Sequence, residues 1–383
     1  MRLRCPACGK HPHPDGPSEW ICPSCNQELR ADVPMFDGWS DAVLDRPGVA
    51  RYARLLPVEN SAYLTSEADA LRPVASPALA ELLNVETVHL LPQTRNATGT
   101  FKDNEGLIVA AKCKEWGLTH VCMHSSGNTA RSYQYYMNRV GIRCTGFVPQ
   151  ASAYKCPTKV RRDCCIVPVS GGMSAAAAAS IAYSEDTGAC RLTPSAWKIE
   201  GKVPVGLAIA EHCPAATVVA VTIASGYGPL GMDRAFARLA EAGLASPRRP
   251  RFLLTQAEDA GVIGSAIHSG ADRIDLSTMV PPEKAFEPTL QSTNPNRTLP
   301  FVRDLVERTG SWSHAVGAER TLADAPAFEQ ACVAADVPID YAHEKSAFIC
   351  WSAVAEAAER GELTALDRVV LVVSGSAPLS DVG

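Results

Sequence analysis

No part of this chain stays apolar for the roughly 18 residues that cross a bilayer as a helix, which excludes a spanning segment of that kind. The opening Met1-Arg2-Leu3-Arg4-Cys5 lacks the apolar core of a secretory signal, so the expected location is the cytoplasm. Positive charge is not in excess. The formal net charge is -5, and no dense basic patch occurs, which leaves nucleic acid and anionic membrane without a footing as partners. There is no internal repeat, which removes repeat architectures. What remains is ordinary: 383 residues, 46% hydrophobic and 20% charged, a globular composition with ample core and room for two or three domains.

Cysteine is plentiful, with 14 residues. Four of them form two Cys-x-x-Cys knuckles, Cys5-Pro-Ala-Cys8 and Cys22-Pro-Ser-Cys25. Tetrahedral zinc takes four thiolates, and paired knuckles deliver them from two tight turns of a small ribbon. A closed set of four has no open position, so the expected zinc is structural. Two chance pairs or a redox dithiol are the alternatives, although a thioredoxin-like motif is single and set in a βαβ unit. His11 and His13 lie between the knuckles and are expected to be bystanders. The other ten cysteines sit mostly beside apolar residues and read as reduced, buried small hydrophobes.

Beyond a linker from Pro34 to Pro57, β-rich runs alternate with helical patterns. Strands are expected at His120–Met123, Arg143–Val148, Cys164–Val169, Thr217–Ile223, Arg251–Gln256 and Arg368–Val373, and helices at Thr129–Val140 and Ser174–Ser184. Such alternation predicts an α/β fold whose parallel sheets are covered on both faces. The stretch His268 to Pro300 is polar, proline-rich and weakly periodic; a long irregular segment of this kind is either disordered or functional, and it is expected to wall the substrate entrance.

Two motifs carry chemistry. Asn96-Ala97-Thr98-Gly99-Thr100-Phe101-Lys102-Asp103-Asn104 resembles the Schiff-base lysine segment of threonine synthases, and Ser125-Ser126-Gly127-Asn128-Thr129-Ala130 resembles their next loop. The N-terminal cysteine ribbon, the Arg51-Tyr52-Ala53-Arg54-Leu55-Leu56-Pro57 segment, Glu200-Gly201 and Glu344-Lys345-Ser346-Ala347 extend the likeness along nearly the whole chain. The resemblance implies a two-domain, tryptophan-synthase-β-like fold holding pyridoxal 5'-phosphate, usually as a homodimer. It implies a ribbon over residues 1–33, a large cofactor domain over 34–95 and 196–383, and a small α/β domain over 96–195. It also implies roles. Lys102 bonds the cofactor and later moves protons, as nucleophile and then base. Asn128 faces the ring hydroxyl. Thr100, Ser125, Ser126, Gly127 and Thr129 bind substrate, the helix start supplying free donors for a carboxylate. Ser225, Gly226, Tyr227, Gly228 and Leu230 form the cofactor-phosphate turn, and Ser374 faces the pyridine nitrogen. Taken singly, each has a plainer reading: a surface lysine at a helix start, a helix cap, a glycine-rich turn, a strand-terminal serine.

The chain departs from the resemblance where a threonine synthase binds its substrate's phosphate. Gly172 replaces an asparagine and Ala178 an arginine, leaving Lys155 and Lys198 as possible substitutes. The expected activity is therefore that of a pyridoxal-phosphate-dependent lyase or synthase acting at Cβ or Cγ of an activated amino acid by elimination and replacement, threonine synthase-like. The alternatives are a cysteate synthase-like β-replacement on activated serine, a specialised-metabolism synthase of changed substrate, or a non-catalytic paralogue acting as a binding protein.

Overall fold

The expected alternation becomes two separate sheets. The computed structural model describes residues 3–11, 21–64, 70–156, 164–192, 195–244, 248–290, 292 and 294–377. The six-stranded sheet runs, from edge to edge, Trp312–Val316, Arg251–Ala257, Val218–Thr222, Arg368–Val373, Thr87–Pro92 and Val74–Ala75. All its pairings are parallel except the last, at the short Val74–Ala75 edge. Its central strands, Val-Val-Ala-Val-Thr and Arg-Val-Val-Leu-Val-Val, are apolar on both faces, as strands covered by helices on both sides must be. The four-stranded sheet is wholly parallel and runs Cys164–Val169, Arg143–Pro149, His120–His124, Cys190–Arg191.

The strands that the sequence pattern predicts are all present. Six others among the described residues escaped it, four of only two residues each and two longer. Thr87–Pro92 is broken by His89 and ends in proline, and Trp312–Val316 mixes serine and histidine into a sheet-edge strand. The helix Val203–His212 escaped for a different reason. It is buried over Val203–Ala210 on every side, so it has no polar stripe and no readable period. No helix among the described residues is long and apolar enough to cross a membrane.

The two knuckles at the N-terminus fold alike. The backbone N–H of Gly9 donates to the Cys5 carbonyl and that of Asn26 to the Cys22 carbonyl, both at 2.9 Å. Each turn closes through a left-handed residue, Gly9 at φ 71° and Asn26 at φ 55°. Glycine and asparagine are the residues that take this conformation most readily. The strands Leu3–Arg4 and Arg30–Ala31 pair antiparallel behind them. The Sγ atoms of Cys5, Cys8, Cys22 and Cys25 all lie within 4.8 Å of one another. His11 stands outside this set, its Nδ1 at 3.0 Å from the Leu3 carbonyl, and His13 falls outside the described residues. The remaining ten cysteines are free and mostly buried.

A buried ion network fastens the ribbon to the body. Arg234 contacts Glu28 of the ribbon and, at 2.7 Å, Glu200. Glu200 also takes Arg238 at 2.7 Å, and Arg238 donates to the Leu55 carbonyl at 3.0 Å. Burial pushes the Glu200 carboxyl up, but the two arginines outweigh it and the net direction is down. Glu200→Ala leaves two guanidiniums buried without their shared carboxylate, a loss expected to cost about 3–5 kcal/mol. Urea unfolding of the variant should show that drop as a lower midpoint; a midpoint matching the parent would mean the network contributes nothing.

Candidate active site

Three turns converge because each leaves the carboxyl end of a parallel strand, the place where open α/β sheets gather their ligand-binding loops. Ser125 follows His120–His124, Ala224 follows Val218–Thr222, and Ser374 follows Arg368–Val373. Between the sheets lies a cleft of about 160 Å³ whose walls include Lys102, Glu105, His124, Ser125, Ser126, Thr129, Lys198, Ser225, Tyr227 and Arg297.

Lys102 opens the helix Lys102–Glu115. The preceding loop is locked from within and from outside. Asp103 accepts from the Thr98 N–H at 2.7 Å and the Thr98 hydroxyl at 2.5 Å, and the Asn96 amide donates to the Thr100 carbonyl at 3.1 Å. Two backbone bonds clip the loop to the end of the Arg368–Val373 strand: Phe101 N–H to the Ser374 carbonyl at 2.7 Å, and Ser376 N–H to the Gly99 carbonyl at 2.9 Å. Gly99 sits at φ 71°, and a Cβ there would lie 2.4 Å from the Ala377 carbonyl oxygen, so only glycine allows this approach. Thr100 is buried, its hydroxyl accepts from the Lys102 N–H at 3.3 Å, and it is not on the cleft wall.

The serine loop is both cap and wall. Ser125 Oγ accepts from the Gly127 and Ala130 N–H groups at 3.1 and 3.3 Å, and Ser126 donates to the Thr289 carbonyl at 3.3 Å. Gly127 stands at φ 131° and, with Asn128, lies behind the wall that Ser125, Ser126 and Thr129 form. Asn128 Nδ2 donates to Glu344 at 2.7 Å, while its buried Oδ1 has no partner among the described residues. Glu344 Oε1 accepts from Ser346 at 2.6 Å, and Ser374 donates to Ser346 at 2.9 Å. On the opposite side Ser225 and Tyr227 reach the cleft; Gly226, Gly228 and Leu230 lie behind them. Gly226 is left-handed at φ 78°, and a Cβ would meet Val302 at 2.6 Å.

Lys155 is not brought to this wall. Its Nζ is wholly buried, 2.8 Å from Glu287 and 3.4 Å from Glu344. Burial lowers its ammonium, Glu344 and Glu287 raise it, and the net direction is up, so it stays charged. Glu287 also accepts from the Thr289 hydroxyl at 2.7 Å and the Lys345 N–H at 2.8 Å. Lys155 therefore pins the irregular 268–300 segment, and that segment supplies Thr289, Ser292, Asn294 and Arg297 to the cleft.

Glu105 is the group the motif did not announce. It lies three residues after Lys102, on the same helical face, and shares the cleft with it. Lys202 Nζ is 3.4 Å and Lys198 Nζ 3.7 Å from its oxygens, and the Tyr133 hydroxyl donates to it at 2.9 Å. Burial pushes the Glu105 carboxyl up, but Lys202, Lys198 and Lys102 outweigh it and hold its pKa at about 2. Burial pulls Lys202 down to about 7 against the attraction of Glu105. His124, pressed by burial, Lys198 and Arg191, falls to about 4 and is neutral at ordinary pH. The helical spacing from Lys102 was the one sequence signal for Glu105; nothing local marked His124 or Arg297.

Comparison with known proteins puts this geometry in context. The model of a family described as pyridoxal-phosphate dependent enzyme matches residues 71–375. A threonine synthase of Methanosarcina acetivorans is 26% identical over 147 residues, 33% of this chain and 36% of that one. The chain thus spans about a third of the length of that curated relative, and 26% and 29% of two further threonine synthases. Among solved structures, a fungal L-serine ammonia-lyase from Rhizomucor miehei superposes at a TM-score of 0.63 with 15% identity, over 82% of this chain and 96% of that one. Maize serine racemase superposes at 0.61 with 20% identity, over 79% and 88%. These two likenesses are of fold. The residues fit the cofactor that the matched family uses: a lysine on the wall, an orphaned buried Asn128 oxygen, and a glycine turn at Gly226 too tight for any side chain.

The charge on Glu105 has a pH signature. Its folded-state pKa of about 2 lies below the unfolded value of 4.5, so its stabilisation is complete above about pH 4.5 and is withdrawn as pH falls towards 2. The withdrawn amount is on the order of 3 kcal/mol. Urea midpoints measured from about pH 6 to about pH 3 should fall more steeply for the parent than for Glu105→Gln. Parallel curves would remove the ionised Glu105.

Proposed function

We propose that this chain, which belongs to the pyridoxal-phosphate-dependent enzyme family, is a lyase or synthase that eliminates and replaces a group at Cβ or Cγ of an activated amino acid. The observation that carries the reading is Lys102 sharing one cleft with the Ser125–Thr129 turn and the Ala224–Tyr227 turn. In this reading Lys102 is the covalent attachment point and Asn128 Oδ1 takes the ring hydroxyl. The 225–228 turn, opening the helix Tyr227–Glu241, receives the phosphate, and Ser374 faces the ring nitrogen. Residues 34–95 and 196–383 act as the cofactor domain, 96–195 as the small domain, and the enzyme works as a homodimer. When bound, pyridoxal phosphate supplies the electron sink for charge developing at the amino acid's α-carbon.

The chain's own groups do the rest. Ser125, Ser126 and Thr129, at the start of the helix Asn128–Arg139, hold the substrate carboxylate against a favourable dipole. Lys102 Nζ takes and returns the proton at the α-carbon. Glu105, fixed as a carboxylate beside it, balances the cationic charge of Lys198 and Lys202. Lys198 and Arg297 share the cleft and receive an anionic group on the substrate's distal end, the position left open by Gly172 and Ala178. Lys198 is the substitute that this reading keeps, because Lys155 is committed to Glu287 and Glu344.

A phosphate-bearing substrate of the threonine synthase kind suits that distal pair. A β-replacement on an activated serine, the second reading, is favoured by the absence of an arginine in the helix Met173–Thr187, whose Met173 reaches the cleft instead. Purified protein given O-phosphohomoserine is expected to change its visible spectrum and release phosphate. An unshifted spectrum, or a shift without phosphate release, removes the threonine synthase reading and directs the search to activated serines. Borohydride should trap the cofactor on the parent and not on Lys102→Ala; an undiminished adduct on another lysine would sink the assignment.

The four thiolates also fit zinc. Ligands at about 2.3 Å in a tetrahedron stand about 3.8 Å apart. Cys5 and Cys25 are 3.3 Å apart and Cys8 and Cys22 3.7 Å apart, before any ion draws them to one centre. Metal analysis is expected to find about one zinc per chain, and Cys5→Ser to lose it. Full retention in that variant would exclude the four-thiolate site.

A further inference from the structure

A second cavity, of about 440 Å³, shares no lining residue with the cleft. Three stretches distant in sequence meet there: residues 45–52, Leu71 with Arg72, and the end of the helix Val203–His212. Its walls carry three guanidiniums and an imidazole, from Arg46, Arg51, Arg72 and His212.

Arg51 is held in place. Its Nε lies 3.0 Å from each oxygen of Glu211, its Nη2 2.5 Å from Oε1, and its Nη1 donates to the Leu44 carbonyl at 3.2 Å. The Tyr52 hydroxyl steadies the same carboxylate at 2.7 Å. Arg46 and Arg72 differ. Both are exposed, and neither side chain has a hydrogen bond or ion pair among the described residues. Asp45 is the one acid in the lining, and with Glu211 it leaves the three arginines in excess even when His212 is neutral.

Like charges gathered at one cavity repel, and guanidiniums left unpaired there can be satisfied by a bound anion. Planar forks from separate directions suit a phosphate, whose several oxygens accept paired N–H donors. The opening turn of the helix Gly48–Leu55, through Pro47 and Gly48, borders the same space. We propose that this cavity binds a small phosphorylated metabolite, its phosphate received by Arg46 and Arg72 with Arg51 as the fixed wall and His212 as a fourth donor.

The imidazole gives the site a pH dependence. Burial lowers His212, Glu211 raises it, and Arg51 and Arg72 lower it further, with the net direction down. An anion offsets the two arginines, so binding favours the protonated ring, and affinity strengthens as pH falls through its titration.

Isothermal titration of the holoenzyme with inorganic pyrophosphate, at low salt, tests this. Saturable binding is expected, weakened by at least about tenfold in Arg46→Ala/Arg72→Ala, which corresponds to about 1.4 kcal/mol. The double variant should keep its cofactor spectrum and unfolding midpoint, since both side chains are exposed and lie outside the cleft. Lys198→Gln should bind pyrophosphate as the parent does, which separates this cavity from the distal subsite of the cleft. His212→Gln should flatten the pH dependence. No saturable binding, undiminished binding in the double variant, or loss of binding in Lys198→Gln would each overturn the proposal.

Discussion

Everything at the cleft depends on two backbone hydrogen bonds that tie the loop before Lys102 to the chain after the last strand. Phe101 donates to Ser374 and Ser376 donates to Gly99. They join segments that are remote in sequence, and they do so through a glycine at φ 71° that admits no side chain. A residue with a Cβ at Gly99 would collide with the Ala377 carbonyl and push the loop away from the strand end. Because the strand it is clipped to lies in the middle of the six-stranded sheet, the lysine inherits the rigidity of the large core.

Charge at the cleft is arranged in the same economical way. Lys202, Lys198 and Lys102 together outweigh the burial of Glu105 and keep it ionised. The same carboxylate opposes the burial that lowers Lys198 and Lys202, without reversing it. Elsewhere the pattern repeats with other residues: Glu200 between Arg234 and Arg238, and Lys155 between Glu287 and Glu344. These three sets of buried ions are shared networks rather than isolated pairs, which spreads the cost of desolvation. Each network also crosses a boundary between elements. The lysine of one holds the irregular 268–300 segment, and an arginine of another, Arg234, holds the ribbon through Glu28.

How much of this could be read from the sequence follows from how local each feature is. Three of the four strands of the four-stranded sheet, and the knuckles, are short-range patterns, and they are where the sequence puts them. The Lys102 and Ser125–Thr129 motifs are local too, and they line one cleft. Features fixed by tertiary contact were not legible. Lys155 looked available on paper because nothing within several residues pairs with it; its partners stand 132 and 189 positions away. Arg297 lies in a stretch without periodicity, held by long-range bonds at Glu287 and, next to it, between Asn296 and Ile274. The helix Val203–His212 was invisible for lack of a polar face, yet its last residue lines the arginine cavity.

The link between ribbon and body has a consequence for how the molecule is built. During synthesis the knuckles emerge well before Arg234, and their turns close entirely within residues 5–27. Glu28 then waits for Arg234, about 200 residues further on, which at ribosomal speeds of about 5–20 residues per second is an interval of about 10–40 seconds. The Glu28 contact needs the helix Tyr227–Glu241, which carries Arg234 and begins at the Gly226 turn beside the cleft. The ribbon's ion contact with the body therefore closes long after its own two turns can, and a seated ribbon reports that this helix is in place.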